Sequence, residues 1–177
     1  LAVQDVPADE GILLPSHRAT VISRTHLLVP LIVSDRLMAA GFRHGFTTRA
    51  GGVSDSPFES LDLAMLRDPD ALRENQRRLG DAVGFDPARL YQATQVHGRN
   101  VVMSGGDRAE VAKIEADALV ADSGSGHAVL VRVADCVPVL LADPASGGVA
   151  AVHAGWRGVV AGVVAAAMER MGAKVGT

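Results

Sequence analysis

The sequence is poor in cysteine, in aromatic residues and in basic clusters, and each shortage excludes a class of protein. Cys136 is the single cysteine among 177 residues, so the fold cannot depend on an intrachain disulfide and we expect a reducing, cytoplasmic location. Aromatic residues make up 3% of the chain, too few for the stacking platforms that bind single-stranded nucleic acids. The net charge is -3 and no basic run is longer than a pair, so neither nucleic acid nor an anionic membrane is an expected partner.

Long apolar runs are also missing. No run of about 18 uncharged apolar residues occurs, so the sequence predicts neither a transmembrane helix nor a signal peptide. Hydrophobic residues nevertheless make up 48% of the chain, enough for a sizeable core built from Val, Ala and Leu. At about 100–200 residues per domain, the length predicts one domain over residues 1–177, with an N-terminal part at 1–40 whose pattern is less clear.

The first half of the chain contains clear helix signals. Asp68 as N-cap, Pro69 at the first helical position and Gly84 as terminator predict a long helix with one apolar face. Ser34 caps a brief predicted helix that ends near Gly41. A strand is predicted before this brief helix, at 27–33. Extended chain at 44–48 and a loop at 49–52 are predicted after it.

The second half changes to short apolar runs separated by turn residues. These runs predict strands at 119–121, 128–133, 137–142 and 149–153. They are apolar on both faces apart from Arg132, so we expect other layers to cover both faces of the sheet.

A glycine loop joins the last predicted strand to the last predicted helix. Residues 154–158 read Ala-Gly-Trp-Arg-Gly and follow directly on His153. From Val159 to Met171 apolar residues point in every direction until Glu169, which predicts a buried helix. The start of a helix after such a loop favours an anion, although a close-packed strand-to-helix turn is the more common reason for such glycines.

Three residues are candidates for chemistry because they lie where predicted strands end. Among six histidines, His97 follows a strand-like step and His153 ends a strand, while Cys136 lies between two strands. One thiolate and two imidazoles would give zinc three protein ligands and leave a fourth position for water. Their long separations in the sequence form no local ligand motif, so a buried thiol and packing histidines remain the alternative interpretation.

Seven short segments, taken in order, resemble the motifs of the YfiH/laccase-domain family. Members of that family have been named polyphenol oxidase, purine nucleoside phosphorylase and peptidoglycan editing factor. The resemblance covers residues 44 to about 171. The segments that carry it are His44–Ser54, Ser60–Leu63, Glu74–Asn75, Gln95–Gly98, Ala116–Ala118, Ala134–Val139 and His153–Gly158.

The resemblance implies a YfiH-like α/β (α+β) fold, a compact layered single domain in which helices cover a mixed sheet. It also implies one zinc ion bound by His97, Cys136 and His153. It also implies phosphorolysis of adenosine, inosine, guanosine and methylthioadenosine, and deamination of adenosine, with Cys136 and His153 in the catalytic centre. Asp62 departs from the family, which usually has Asn at that position. Relatives carry a further C-terminal segment with a Gly-Pro-rich motif, which does not occur before Thr177, so we expect a domain without that segment.

Four other residues complete the predicted site. Arg49 and Arg157 offer guanidinium groups for phosphate, and His44, which opens the segment leading to Arg49, is expected to line the pocket. Asp135 is expected to orient a ligand histidine or to exchange protons in catalysis. Each arginine could instead form an ordinary ion pair on the surface. Asp135 could instead cap a turn. The expected partners are a purine nucleoside and phosphate, and the expected protein is a monomer.

Other functions can be built on the same residues. In a cysteine hydrolase acting on peptidoglycan-type peptides, a histidine would deprotonate Cys136 for attack on an amide. A polyphenol oxidase (laccase) would need a trinuclear copper cluster held largely by His-x-His pairs, and none of the six histidines forms such a pair. Copper still binds this ligand set more tightly than zinc and is the second candidate metal. A binding module would hold zinc but leave nucleosides unchanged.

Overall fold

A computed structural model of the chain describes residues 2–4, 19–22, 29–65 and 68–172. Its strands are β1 (Ala2–Gln4), β2 (Ala19–Ile22), β3 (Leu31–Ser34), β4 (Arg43–Thr47), β5 (Leu90–Tyr91), β6 (Val101–Met103), β7 (Ala118–Ala121), β8 (Ala128–Leu130), β9 (Val137–Ala142) and β10 (Val149–Ala154). Its helices are α1 (Asp35–Ala39), α2 (Pro69–Val83), α3 (Arg108–Lys113), α4 (Trp156–Ala161) and α5 (Val163–Arg170). Within these ranges no helix combines the length and the apolar character that a membrane span requires.

The strands form two mixed sheets. The larger has the order β2-β3-β4-β1-β8-β5, in which β5 runs parallel to β8 and the other neighbours are antiparallel. The smaller has the order β6-β7-β10-β9, in which β6 runs parallel to β7 while β10 is antiparallel to both β7 and β9. The mixed sheet expected from the sequence is therefore divided in two, because β7 and β8 follow each other in the chain but pair with different partners.

Three apolar clusters hold these layers together. Leu119, Val129 and Ala151 are fully buried between the two sheets. Leu79 of α2 packs against the outer face of the larger sheet, and Val163 of α5 against the outer face of the smaller one. Each fully buried Val or Leu contributes about 1.5–3 kcal/mol, so the core does not require aromatic rings. The resulting α-β-β-α stack confirms the layered α/β class.

Helix α2 begins and ends where the sequence predicts. The Asp68 carboxylate accepts hydrogen bonds from the backbone N–H groups of Asp70 (2.8 Å) and Ala71 (3.2 Å). Pro69 occupies the first helical position, and Gly84 ends the helix with a φ of +92°, which residues with a side chain rarely adopt. The local capping residues are thus sufficient to explain both ends.

Three predicted elements need correction. The strand expected at 27–33 is found at Leu31–Ser34, and residues 27 and 28 lie outside the described residues. β9 is only half-buried, with Val137 61% exposed, so it is not covered on both faces. The buried helix expected from Val159 onward is two helices, because Gly162 adopts a φ of +82° between α4 and α5. This break leaves Val160 of α4 82% exposed while α5 packs on the sheet.

Candidate metal site and adjoining cavity

His97, Cys136 and His153 come together at one end of the smaller sheet. Each offers one ligand atom, and these atoms all lie within 4.8 Å of one another. His153 belongs to β10 and faces Pro138 of β9 in the antiparallel register, which brings the loop containing Cys136 alongside it. The rings of His97 and His153 lie edge to face, with their centroids 4.7 Å apart. Strand pairing therefore assembles a group that no local sequence motif encodes.

The three side chains differ in their access to solvent. His153 is 4% exposed, Cys136 is half-buried and His97 is exposed. A thiolate and two imidazoles are typical zinc ligands, and three protein ligands with an open fourth position are the pattern of a catalytic zinc site. The donor set and its open side are therefore compatible with a metal that a substrate can reach.

Gly155 leaves the space in which this group packs. It caps α4 directly after β10, and a Cβ atom there would lie 2.8 Å from Cδ2 of His97 and 3.2 Å from Sγ of Cys136. Real Cβ atoms essentially never approach another atom to 2.8 Å, so a side chain at this position would force the imidazole of His97 to shift and would press on Sγ of Cys136. The close approach of His97 and Cys136 to the backbone explains why position 155 is a glycine. It also supports the fit of His97, Cys136 and His153 around a common centre.

Replacing Gly155 by alanine should weaken metal binding roughly 5- to 100-fold, because overpacking of this kind costs about 1–3 kcal/mol. Competition with a chromogenic chelator measures this change. Gly98→Ala is the matched control, since a Cβ at Gly98 meets its nearest atoms at an ordinary 3.6 Å and should leave metal affinity unchanged. Equal affinities for the parent and both variants would show that Gly155 does not shape the site.

Asp117 contacts two of the three candidate ligands. Its side chain is fully buried, and Oδ1 lies 2.7 Å from Nδ1 of His153 and accepts the backbone N–H of His97 at 2.9 Å. Oδ2 accepts the backbone N–H groups of Gly98 at 2.7 Å and Val96 at 3.2 Å. Because Nδ1 of His153 is engaged by the carboxylate, Nε2 is the ring nitrogen left for a metal.

The surroundings of Asp117 favour its ionised form. Burial alone would raise the pKa of this carboxyl, but the hydrogen bonds from His153 and from the three backbone N–H groups outweigh it and lower the pKa below its usual value. One of these bonds also supports an uncommon backbone conformation, since His97 has a φ of +62°. Asp117 lies in one of the family-like segments, Ala116–Ala118, but no pattern in the sequence predicts its contact with His153.

His44 is placed differently from the expectation that it lines a pocket. It is 4% exposed, its Nε2 accepts the backbone N–H of Ser34 at 2.7 Å, and its Nδ1 donates to the carbonyl of Phe42 at 3.0 Å. Burial lowers the pKa of the imidazole, which favours the neutral form that these two bonds require. His44 thus connects β4 to the start of α1, and it is not among the described residues that line the cavity below.

Asp135 and Arg157 are both on the surface. Asp135 is exposed in the loop before Cys136, and the carboxylate found in contact with His153 is that of Asp117 instead. The guanidinium carbon of Arg157 lies 5.3 Å from the ring centroid of Trp156, which is itself 72% exposed. Arg157 therefore stacks on an exposed ring of α4 and follows the candidate ligand His153 by four positions in the sequence.

A cavity of about 780 Å³ opens beside the Cys136 loop. Ala134 and Pro138, each two residues from Cys136, form one wall. Its volume is within the range of about 300–1,000 Å³ that small-molecule sites occupy. The other walls combine apolar and charged side chains, among them Phe46, Arg49, Leu61, Asp62, Val131 and Arg132.

The two arginines of the cavity differ in their surroundings. Arg49 is 73% exposed and pairs with the carboxylate of Glu59 at 3.2 Å, an interaction worth about 0–1 kcal/mol in such an exposed setting. Arg132 is half-buried, and one of its guanidinium nitrogens donates to the carbonyl of Ala93 at 3.3 Å. Burial lowers the pKa of this guanidinium, and the charge of Asp62 partly counteracts the shift. In the sequence, Arg132 is recognisable only as a charged exception in an apolar strand.

Asn75 holds the loop that forms the outer wall of the cavity. This side chain of α2 is fully buried, and its Oδ1 accepts the backbone N–H of Val53 at 2.9 Å. Its Nδ2 lies 2.8 Å from the carbonyl oxygen of Asp62 and 3.3 Å from that of Ser60. A Cβ at Gly52 would lie 2.0 Å from the carbonyl oxygen of Ser60, so the loop closes tightly on itself. One buried amide therefore ties separate positions of the cavity-wall loop to α2.

Comparison with known proteins shows similarity over most of the chain. Residues 43–177 match the family described as multi-copper polyphenol oxidoreductase laccase. A purine nucleoside phosphorylase of Streptomyces coelicolor is 45% identical over 145 residues, which are 79% of this chain and 58% of that protein. A purine nucleoside phosphorylase of Streptomyces griseus is 47% identical over 128 residues, 71% of this chain and 52% of that protein. The chain spans about half the length of the curated relatives it matches.

Solved structures show the same fold. A Neisseria meningitidis protein of the DUF152 family superimposes with a TM-score of 0.60 at 39% identity, over 71% of this chain and 50% of that one. The Bacillus licheniformis hypothetical protein YfiH gives a TM-score of 0.64 at 30% identity, again over 71% of this chain and 50% of that one. Both resemble this chain in fold and in sequence.

Proposed function

Because the chain belongs to the multi-copper polyphenol oxidoreductase laccase family, we propose that it is a metal-dependent enzyme that cleaves purine nucleosides with phosphate. Relatives at 42–47% identity carry the name purine nucleoside phosphorylase, which supports nucleoside phosphorolysis rather than phenol oxidation. The observation that carries the proposal is a cavity of suitable volume whose wall includes Ala134 and Pro138, the residues two positions before and after Cys136. This function would explain why the cavity contains both apolar walls and cationic side chains.

The proposed metal is zinc, held by the thiolate of Cys136, by His97 and by Nε2 of His153. When bound, zinc supplies a Lewis acid and a water of lowered pKa, which would also serve the deamination of adenosine. Asp117 keeps His153 in the tautomer that offers Nε2, and Gly155 keeps the centre free of a side chain. Copper is the alternative occupant of the same ligand set.

The cavity residues would orient the two substrates. In phosphorolysis a phosphate oxygen forms a bond to C1′ of the ribose while the bond from C1′ to the base nitrogen breaks, and the departing base takes up a proton. We place the phosphate on Arg49 and Arg132, whose guanidinium groups can each donate two hydrogen bonds to an anion. The purine would lie against the apolar wall that contains Phe46 and Leu61. Arg157, outside this wall, is a further candidate for phosphate.

Arg49→Ala should raise the KM for phosphate about 10- to 100-fold with a smaller effect on kcat, because it removes a charge-assisted contact to the bound anion. Steady-state phosphorolysis at varied phosphate measures this, and the metal content should not change. Arg73→Ala, which removes an exposed arginine of α2, is the matched control. Arg157→Ala, assayed in parallel, shows whether the phosphate reaches α4. A phosphate dependence that Arg49→Ala leaves unaltered would contradict the assignment.

One combined experiment tests the proposed function. Protein purified without added metal is analysed for zinc and copper, and the same sample is incubated with adenosine or inosine with and without phosphate. We expect about one metal ion per chain, release of free base only with phosphate, and release of ammonia from adenosine. Metal-free protein, or metal-loaded protein without nucleoside turnover, would contradict the proposal, and the second result would favour a binding module.

A further inference from the structure

We propose that Asp117 is a positioning residue that arranges both histidine ligands before a metal binds, an inference that rests on the proposed metal-dependent function. One carboxylate reaches the ring of His153 on β10 and the backbone that presents His97 in the loop before β6. His97 and His153 are 56 positions apart in the sequence. Asp117 therefore fixes the relative placement of two ligands through a single side chain.

The hydrogen-bond geometry requires a carboxylate in particular. Four donors converge on it: the ring N–H of His153 and the backbone N–H of His97 on Oδ1, and the backbone N–H groups of Val96 and Gly98 on Oδ2. An ionised aspartate offers acceptors on both oxygens and no donor. An asparagine would turn its NH₂ group toward two of these donors, so an isosteric amide cannot reproduce the arrangement.

The sheet holds Asp117 itself in place. Its backbone carbonyl accepts the N–H of His153 at 2.7 Å, and its own N–H donates to the carbonyl of Asn100 at 3.0 Å. It directly precedes β7, the strand that lies between β6 and β10. The position of the carboxylate is thus set by central strand pairing and does not depend on a bound ion.

Asp117 accepts hydrogen bonds from His153 and His97 but none from Cys136 among the contacts described above. The pairing of β9 with β10 places Cys136 near His153 instead. Losing the carboxylate should therefore disturb the two imidazoles more than the thiolate. Cobalt(II) separates these effects, because a cobalt–thiolate bond gives a charge-transfer absorption whereas the ligand-field bands report the geometry of all ligands. This spectral distinction would not follow from a merely structural loss of stability.

The experiment is a titration of the metal-free parent and of Asp117→Asn with cobalt(II). We expect the variant to bind roughly 10- to 100-fold more weakly, the usual cost of losing a residue that supports a metal ligand. At saturation the thiolate charge-transfer band should remain and the ligand-field bands should change. His44→Gln is the control, because His44 is also a buried, hydrogen-bonded side chain but belongs neither to the candidate ligand group nor to the cavity lining, and its cobalt affinity should match the parent.

Hydrogen exchange of the metal-free parent gives a second test that does not depend on whether the variant folds. The amides of His97 and Gly98 should exchange slowly without metal, because they already donate to Asp117. Exchange at the rate of unstructured chain would overturn the positioning role, and so would cobalt affinity in Asp117→Asn within about twofold of the parent. A parent that binds no cobalt would instead contradict the proposed metal-dependent function, and the exchange rates would still decide the role of Asp117.

Discussion

Cys136→Ser should remove the bound metal and the nucleoside phosphorolysis together. The two side chains have nearly equal volume, so packing beside Gly155 is preserved, but a neutral hydroxyl replaces a soft thiolate and metal binding requires a deprotonated ligand. The loss of affinity should exceed the roughly 10- to 100-fold that follows from losing a supporting residue. Elemental analysis and phosphorolysis rates on the same preparations measure both effects.

The same variant distinguishes the metal enzyme from a cysteine hydrolase. If Cys136 were the nucleophile of a metal-free hydrolase, activity would vanish while a metal content near zero stayed constant, and the parent thiol would react with iodoacetamide at neutral pH. Excess zinc should partly restore a weakened metal site but cannot replace a missing nucleophile. His127→Gln, at a histidine outside the candidate ligand group, is the control. Loss of activity with a full complement of bound metal would contradict the ligand assignment.

Asn75→Ala should lower the free energy of unfolding by about 2–4 kcal/mol, because buried groups left without a hydrogen-bond partner cost about 1–3 kcal/mol each. The variant loses the side-chain partner of the Val53 N–H and of the Asp62 carbonyl. For a chain of this size the change corresponds to a fall in Tm of roughly 5–15 °C. The KM for nucleoside should also rise, since the loop that walls the cavity loses its anchor on α2.

Thermal unfolding followed by circular dichroism measures this loss. Arg73→Ala is the matched control on the same helix, because its exposed side chain should change stability by no more than about 0.5 kcal/mol. If the two variants unfold at the same temperature, the buried amide does not stabilise the loop and the cavity wall must be held in another way.

Features with a local cause could be predicted from the sequence. Asp68, Pro69 and Gly84 define α2 through capping that involves only neighbouring residues, and Ser34 caps α1 as expected. The resemblance of the sequence motifs to the laccase-domain family is confirmed by the comparisons. His97, Cys136 and His153 are candidates from their positions at predicted strand ends, the resemblance implies that they share one zinc ion, and the structure places their ligand atoms near one another. Their binding of a metal stays a prediction.

Features that depend on distant pairing could not be predicted. The role of Asp117 requires β7 to lie between β6 and β10, and no spacing in the sequence encodes that order. His44 belongs to a motif that leads to the cavity, yet the chain turns its ring inward between Ser34 and Phe42. The exposure of α4 could not be predicted either. Residues 159–171 are apolar throughout most of their length, and this composition does not reveal that Gly162 separates the exposed α4 from α5, which packs on the sheet.

The exposure of α4 affects how unfolding of this chain can be observed. Trp156 is the single tryptophan, and its indole is 72% exposed in the folded state. Intrinsic fluorescence therefore starts from a ring that water already surrounds, so loss of the core produces little of the red shift that accompanies exposure of a buried indole. An emission-based melting curve would follow the short helix beside the ligand group, whereas far-ultraviolet dichroism follows the sheets.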